Sequence, residues 1–184
     1  MSLDYTDGCV NFRDVGGYVN LILGEERLPE DHLYRGGSID YVKEDSEIRF
    51  PKTIINLRNR PDYDGFDATY LHFPMDNKVE KYDTHLPEVR RWLNQILLEL
   101  QNPDVRFPVL IHCLSGKDRT GIVVAAILML LGIDENTIIE EYLLSEGEVD
   151  AEKISLSIDG MRDLKQYFNR IDLSRFREVV LGKK

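Results

Sequence analysis

Phe107-Pro108-Val109-Leu110-Ile111-His112-Cys113-Leu114-Ser115-Gly116-Lys117-Asp118-Arg119-Thr120-Gly121-Ile122-Val123-Val124-Ala125-Ala126-Ile127-Leu128-Met129-Leu130-Leu131-Gly132 is the stretch that decides the fold. Residues 107–111 form a short apolar run that reads as a buried strand. The longer apolar run 122–131 reads as a buried helix stopped by Gly132. A strand that feeds a loop and then a helix gathers backbone N–H groups around an anion. The first helical turn has free donors and carries the positive end of the dipole.

Each residue type in this loop suits phosphoryl transfer to sulfur. Cys113 is the candidate nucleophile: a free thiol titrates at about 8.5, and a helix N-terminus or nearby cations lower that value. Arg119 presents a planar fork that holds two phosphate oxygens through a transition state. Leu114, Ser115, Gly116, Lys117 and Asp118 are the candidate substrate-binding residues, with Gly116 letting the backbone turn without a side chain in the way. Thr120 can donate its hydroxyl to a departing sulfur. His112 is a supporting residue that orients the loop through hydrogen bonds. A buried structural cysteine beside a helix cap would leave Lys117 and Arg119 unexplained.

His-Cys-x-x-Gly-x-x-Arg-Thr-Gly resembles the signature of the cysteine-dependent protein tyrosine phosphatase superfamily. The form Gly116-Lys117-Asp118-Arg119-Thr120-Gly121 is similar to its atypical bacterial and fungal tyrosine/serine members, some of which act on phosphoinositides. Asn11-Phe12-Arg13-Asp14-Val15-Gly16-Gly17-Tyr18 and Leu33-Tyr34-Arg35-Gly36-Gly37 resemble the N-terminal segments of the same family. The resemblance implies a general acid, an Asp on a separate mobile loop. Asp76 matches in order and context: it follows the strand Tyr70-Leu71-His72-Phe73 and Pro74. Asp83 and Asp118 are the alternatives, with Asp118 also suited to binding substrate hydroxyls or bracing the loop. The resemblance puts Arg35 close to the active site, while its residue type also suits bonding loop carbonyls.

At 184 residues the chain fits a single domain, 1–184, large enough for a sizeable core. A formal charge of −10 argues against general nucleic-acid binding and against adhesion to anionic membranes. An anionic substrate must then be held by local donors. The two cysteines, Cys9 and Cys113, make no disulfide framework. A catalytic thiol needs a reducing compartment, so the cytoplasm is expected. Cys9 is either a small buried residue or a resolving partner for Cys113. Residues 1–10 have no apolar core, so no leader is expected, and the run 122–131 is too short to span a bilayer.

Elsewhere, residues 1–20 read as turn-rich, with Arg13 and Asp14 as an ion pair or a solvated pair. Leu21-Ile22-Leu23 suggests a strand, and Ser38 an N-cap for a short helix to about Arg49. Thr53-Ile54-Ile55-Asn56-Leu57 is a buried strand. Asp62, Asp64 and Asp67 lack the terminal glutamate of a calcium loop and read as a polar loop. Leu86, Val89, Leu93, Ile96, Leu97 and Leu100 recur at helical spacing. Asp134 caps a further helix, and two or three short helices fill 150–181.

The fold expected is α/β and three-layered: a central, mostly parallel sheet of four or five strands with helices on both faces. The activity expected is phosphate monoester hydrolysis through a phosphocysteine, on a tyrosine- or dual-specificity phosphoprotein substrate. Inositol phosphates or phosphoinositides are the alternative, prompted by Lys117. No metal or cofactor is required, since Arg119 and the amides supply the positive charge, and no nucleic acid or stable membrane partner is expected. A rhodanese-like sulfurtransferase is disfavoured by the five-residue gap from Cys113 to Arg119. A non-catalytic phospho-binding module is disfavoured by the presence of Cys113, Arg119 and Asp76.

Overall fold

A computed structural model describes residues 6–182. Five strands form one sheet in the order β1-β2-β5-β3-β4: β1 Arg13–Asp14, β2 Leu33–Gly36, β3 Thr53–Asn56, β4 Thr69–His72 and β5 Val109–His112. The β1–β2 pair is antiparallel and every other pair is parallel. β5 is therefore central, with all four residues buried. The apolar run that feeds the loop is the innermost strand, as a strand covered on both faces should be.

Side chains alternate across the sheet. Leu33, Ile55, Val109 and Ile111 join the main core, to which all seven α-helices contribute. These are α1 Val15–Leu23, α2 Pro87–Leu100, α3 Asp118–Leu130, α4 Glu135–Leu143, α5 Ala151–Gly160, α6 Leu164–Tyr167 and α7 Leu173–Val180. Tyr34, Ile54 and Leu110 face a smaller core with Cys9, Phe12, Ile39, Val42 and Ile48. That second face is covered more thinly than the sequence suggests, by residues 9–12 and 39–48 with a single-turn 3-10 helix, Asp45–Ile48. Among the described residues, no helix is long and apolar enough to cross a membrane.

Three local expectations are corrected. Leu21-Ile22-Leu23 is the last turn of α1, not a strand. The Asp14 carboxylate accepts from the Gly16 amide at the start of that helix, and Gly24, with φ +70°, closes it. The Gly16-Gly17 pair is helical because α1 lies against the chain before β2: a Cβ on Gly16 would stand 2.1 Å from the Pro29 carbonyl oxygen. Ser38 caps no helix. Its hydroxyl accepts from the Asp40 amide and from Arg58, and the 3-10 helix starts later, on a reciprocal Glu44–Glu47 capping box. Finally, Arg13 pairs with Glu141 and not with its neighbour Asp14.

Candidate active site

The loop between β5 and α3 is held by its carbonyls. The His112 carbonyl accepts from the Leu57 amide (2.9 Å), Leu114 from Ser38 (2.9 Å) and Lys117 from Gly121 (2.8 Å). The Ser115 carbonyl accepts from Asn11 Nδ2 (2.8 Å) and Gly116 from Arg35 (3.1 Å). The amides of residues 114–120 donate to no group among the described residues. A loop whose carbonyls are engaged and whose amides are free has its donors available to an anion. Gly116 makes the turn possible. Its φ is +69°, and a Cβ there would lie 2.4 Å from the Gly36 carbonyl carbon.

α3 starts at Asp118, four residues earlier than the apolar run implies, so Arg119 and Thr120 stand in its first turn. Cys113 begins the loop and is 2 % exposed. The Arg119 guanidinium donates to the Leu57 carbonyl at 2.8 Å, which fixes one nitrogen of the fork. The Thr120 hydroxyl is buried without a hydrogen-bond partner, so no bond from it to sulfur is formed.

Behind the loop stands an ion cluster that the sequence reading missed. Glu141 of α4 takes Arg13 on one carboxylate oxygen (2.8 Å) and Arg35 on the other (2.5 Å). Arg13 also donates to the Glu141 carbonyl and to Ser145. Burial pushes the Glu141 carboxyl up, but the two guanidiniums outweigh it and hold the group below its ordinary value. Burial, then repulsion from Arg13, lowers the Arg35 guanidinium to about 10, which leaves it charged at neutral pH. Arg35 is thus both a neighbour of the loop and a structural arginine, since it reaches the Gly116 carbonyl.

A second brace runs through Asp62, which the sequence places in a polar loop. One Asp62 oxygen accepts from His112 Nε2 at 2.7 Å and the other from Arg58 at 2.5 Å. Arg58 continues to Ser38 and Asp40, and the Asp40 carboxyl is lowered to about 2, first by its bond from Arg58. Spacing alone carried no signal for either brace, because Glu141 is 128 residues from Arg13 and Asp62 is 50 from His112.

The acid candidates are placed differently. Asp76 is exposed beyond β4, and its carboxylate accepts from the Lys78 amide. Asp83 accepts from the His85 amide in the turn before α2. Asp118 accepts from the Tyr82 hydroxyl at 2.6 Å, and that hydroxyl also meets the Tyr142 hydroxyl at 2.7 Å. Trp92 packs in the core and donates to the Phe73 carbonyl, tying α2 to the Asp76 segment. Cys9 donates to the Gly37 carbonyl, and burial pushes its thiol up to about 12, as for a small core residue. No three His, Cys, Asp or Glu side chains among the described residues converge as a metal-holding group.

A profile of the tyrosine phosphatase family matches residues 5–179. The chain belongs to the tyrosine phosphatase family. Within it, the chain is 52 % identical over 42 residues to the triple specificity protein phosphatase PtpB of Mycobacterium tuberculosis, a match that covers 23 % of this chain and 15 % of that relative's length. Among solved structures, the catalytic core of the PP-IP phosphatase SIW14 from S. cerevisiae superimposes with a TM-score of 0.52, 20 % identity, and coverage of 79 % of this chain and 96 % of that one. DUSP15 gives 0.51, 17 % identity, 78 % and 94 %. These likenesses show the fold of the family.

Proposed function

We propose that this family member hydrolyses phosphate monoesters through a phosphocysteine. The observation that carries the reading is the loop itself, with carbonyls tied outward, amides free, a cysteine at its start and an arginine in the first turn of α3. The Cys113 thiolate attacks phosphorus in line while Arg119 and the amides of 114–118 hold the other phosphate oxygens. The P–O bond to the leaving group breaks as the S–P bond forms, and Asp76 gives its proton to the leaving oxygen. Water then attacks phosphorus, the Asp76 carboxylate takes its proton, and phosphate leaves the sulfur. Thr120 is proposed to hydrogen-bond that sulfur as it departs; its buried hydroxyl has no other partner among the described residues. His112 holds the loop through Asp62.

The proposed substrate is a phosphoprotein, tyrosine or dual-specificity, in a reducing compartment such as the cytoplasm. The words triple specificity in the name of the M. tuberculosis relative agree with a broad phosphoprotein range. A second reading, an inositol phosphate, is favoured by Lys117, which makes no ion pair among the described residues and stands at the start of α3. The deciding assay is phosphate release from p-nitrophenyl phosphate with and without reductant and chelator. Turnover that needs reductant, survives chelator and disappears in Cys113→Ser is expected. Normal turnover by Cys113→Ser would end the proposal.

A further inference from the structure

β1 is antiparallel to β2, so the residues before Arg13 lie at the carboxyl edge of the parallel strands, beside the phosphate loop. A cavity of about 580 Å³ opens there. Asn11 is its boundary with the loop: its amide nitrogen holds the Ser115 carbonyl, and its oxygen accepts from the Glu146 amide. The walls have two characters. Val10 and Leu144, each 46 % exposed, supply apolar surface that the fold leaves uncovered. Asp7 and Glu146 supply exposed carboxylates that form no ion pair among the described residues. The cation in the wall, Arg13, is buried and turned to Glu141, a carboxylate it shares with Arg35. Lys117 does not line the cavity; its Nζ stands 3.7 Å from where a Cβ on Gly147, the residue after Glu146, would lie.

We infer that this cavity seats a basic side chain, Lys or Arg, flanking the phosphorylated residue of a protein substrate. The inference rests on the phosphatase reading above and deepens it. A long cationic side chain fits both characters at once: its methylenes lie on Val10 and Leu144, and its charged end meets Asp7 and Glu146. Adjacent residues of an extended chain are about 3.5 Å apart, and Asn11 both lines the cavity and bonds the Ser115 carbonyl, so the flank assigned to the cavity is one or two positions from the phosphorylated residue. The complementary substrate is therefore dipolar, anionic at Cys113–Arg119 and cationic at the cavity. An inositol polyphosphate offers only negative charge to these carboxylates and fits less well.

The test compares two phosphotyrosine peptides, identical except for Lys or Glu beside the phosphotyrosine, in wild type and in the Asp7→Lys/Glu146→Lys double variant. The ratio of the two kcat/KM values within one enzyme cancels any loss of active protein. Wild type is expected to prefer the Lys peptide roughly fivefold to tenfold at low salt, two exposed pairs acting together, and less at high salt. The double variant is expected to lose or invert the preference. A wild-type ratio near one, or a ratio unchanged in the double variant, overturns the inference. So does faster wild-type turnover of inositol hexakisphosphate than of either peptide. No turnover of p-nitrophenyl phosphate by wild type would instead sink the phosphatase reading itself, which keeps the two failures apart.

Discussion

Two segments meet at the carboxyl edge of the sheet and are built in opposite ways. The loop 113–117 is gripped through carbonyl after carbonyl, and buried ions stand behind it at Glu141 and Asp62. The segment that carries Asp76 is pinned near its ends, by Trp92 at Phe73 and by Tyr82 at Asp118, while Asp76 itself is exposed. The difference follows from the work proposed for each. Donors that stabilise charge in the transition state act best when they need not reorganise. A proton donor has to approach the leaving oxygen and later serve water. The loop should therefore fail when its braces are cut, whereas the acid segment should lose chemistry without losing fold.

The largest effect is expected from Glu141→Gln. Arg13 and Arg35 would remain buried without the carboxylate they share, a change that costs about 3–5 kcal/mol. For a chain of this size that lowers Tm by roughly 6–20 °C in a thermal scan. The same pair sets an acid limit. The folded Glu141 carboxyl titrates below its ordinary 4.5, so just below that pH the unfolded chain binds a proton that the folded chain does not. Its stabilisation is complete above pH 4.5 and is lost as pH falls through the lower folded value. The wild-type stability curve should drop there, and the Glu141→Gln curve should be flatter. A Tm change under 2 °C would mean that the loop does not depend on its ion cluster.

Arg119→Lys comes next, with a loss of about 10²–10³ in kcat/KM, because an ammonium cannot replace a planar fork already fixed on the Leu57 carbonyl. Asp76→Asn should lower kcat for an alkyl or aryl phosphate of poor leaving group by about 10² and leave stability within about 0.5 kcal/mol, since the residue is exposed. The loss should be smaller with p-nitrophenyl phosphate, whose leaving group needs less proton assistance. If Asp118→Asn shows that leaving-group dependence and Asp76→Asn does not, the acid is Asp118 and the contrast between the two segments dissolves.

The strand–loop–helix unit was legible because its parts are local: strand, turn glycine, helix start and arginine follow one another within a few positions. β5 and α2 were legible for the same reason, one from a short apolar run and the other from helical spacing. α1 was not. Two glycines look like turn punctuation, and only the approach of Pro29 explains why the helix needs one of them. Arg13, Arg35 and Glu141 converge from β1, β2 and α4, and no spacing rule connects residues more than a hundred positions apart. Asp62 sat among other aspartates with nothing to mark it as the buried one, because its partners Arg58 and His112 are brought together only by the pairing of β3 with β5.

Asp62 also supplies the smallest and most selective test. Its two oxygens serve different partners, Arg58 on one side and His112 on the other. Asp62→Asn keeps the shape but turns one acceptor into a donor, so either Arg58 or His112 must face an N–H group. The lost buried bond costs on the order of 1–3 kcal/mol. Part of that is expected to appear as a roughly tenfold fall in kcat/KM for p-nitrophenyl phosphate, because His112 immediately precedes Cys113. The informative readout is the pH profile: a displaced acid limb in Asp62→Asn, with Tm lowered only modestly, would show that the carboxylate acts on the loop through His112. A parallel fall in Tm with an unmoved pH profile would assign Asp62 to the fold alone and leave Glu141 as the brace that distinguishes the phosphate loop from the acid segment.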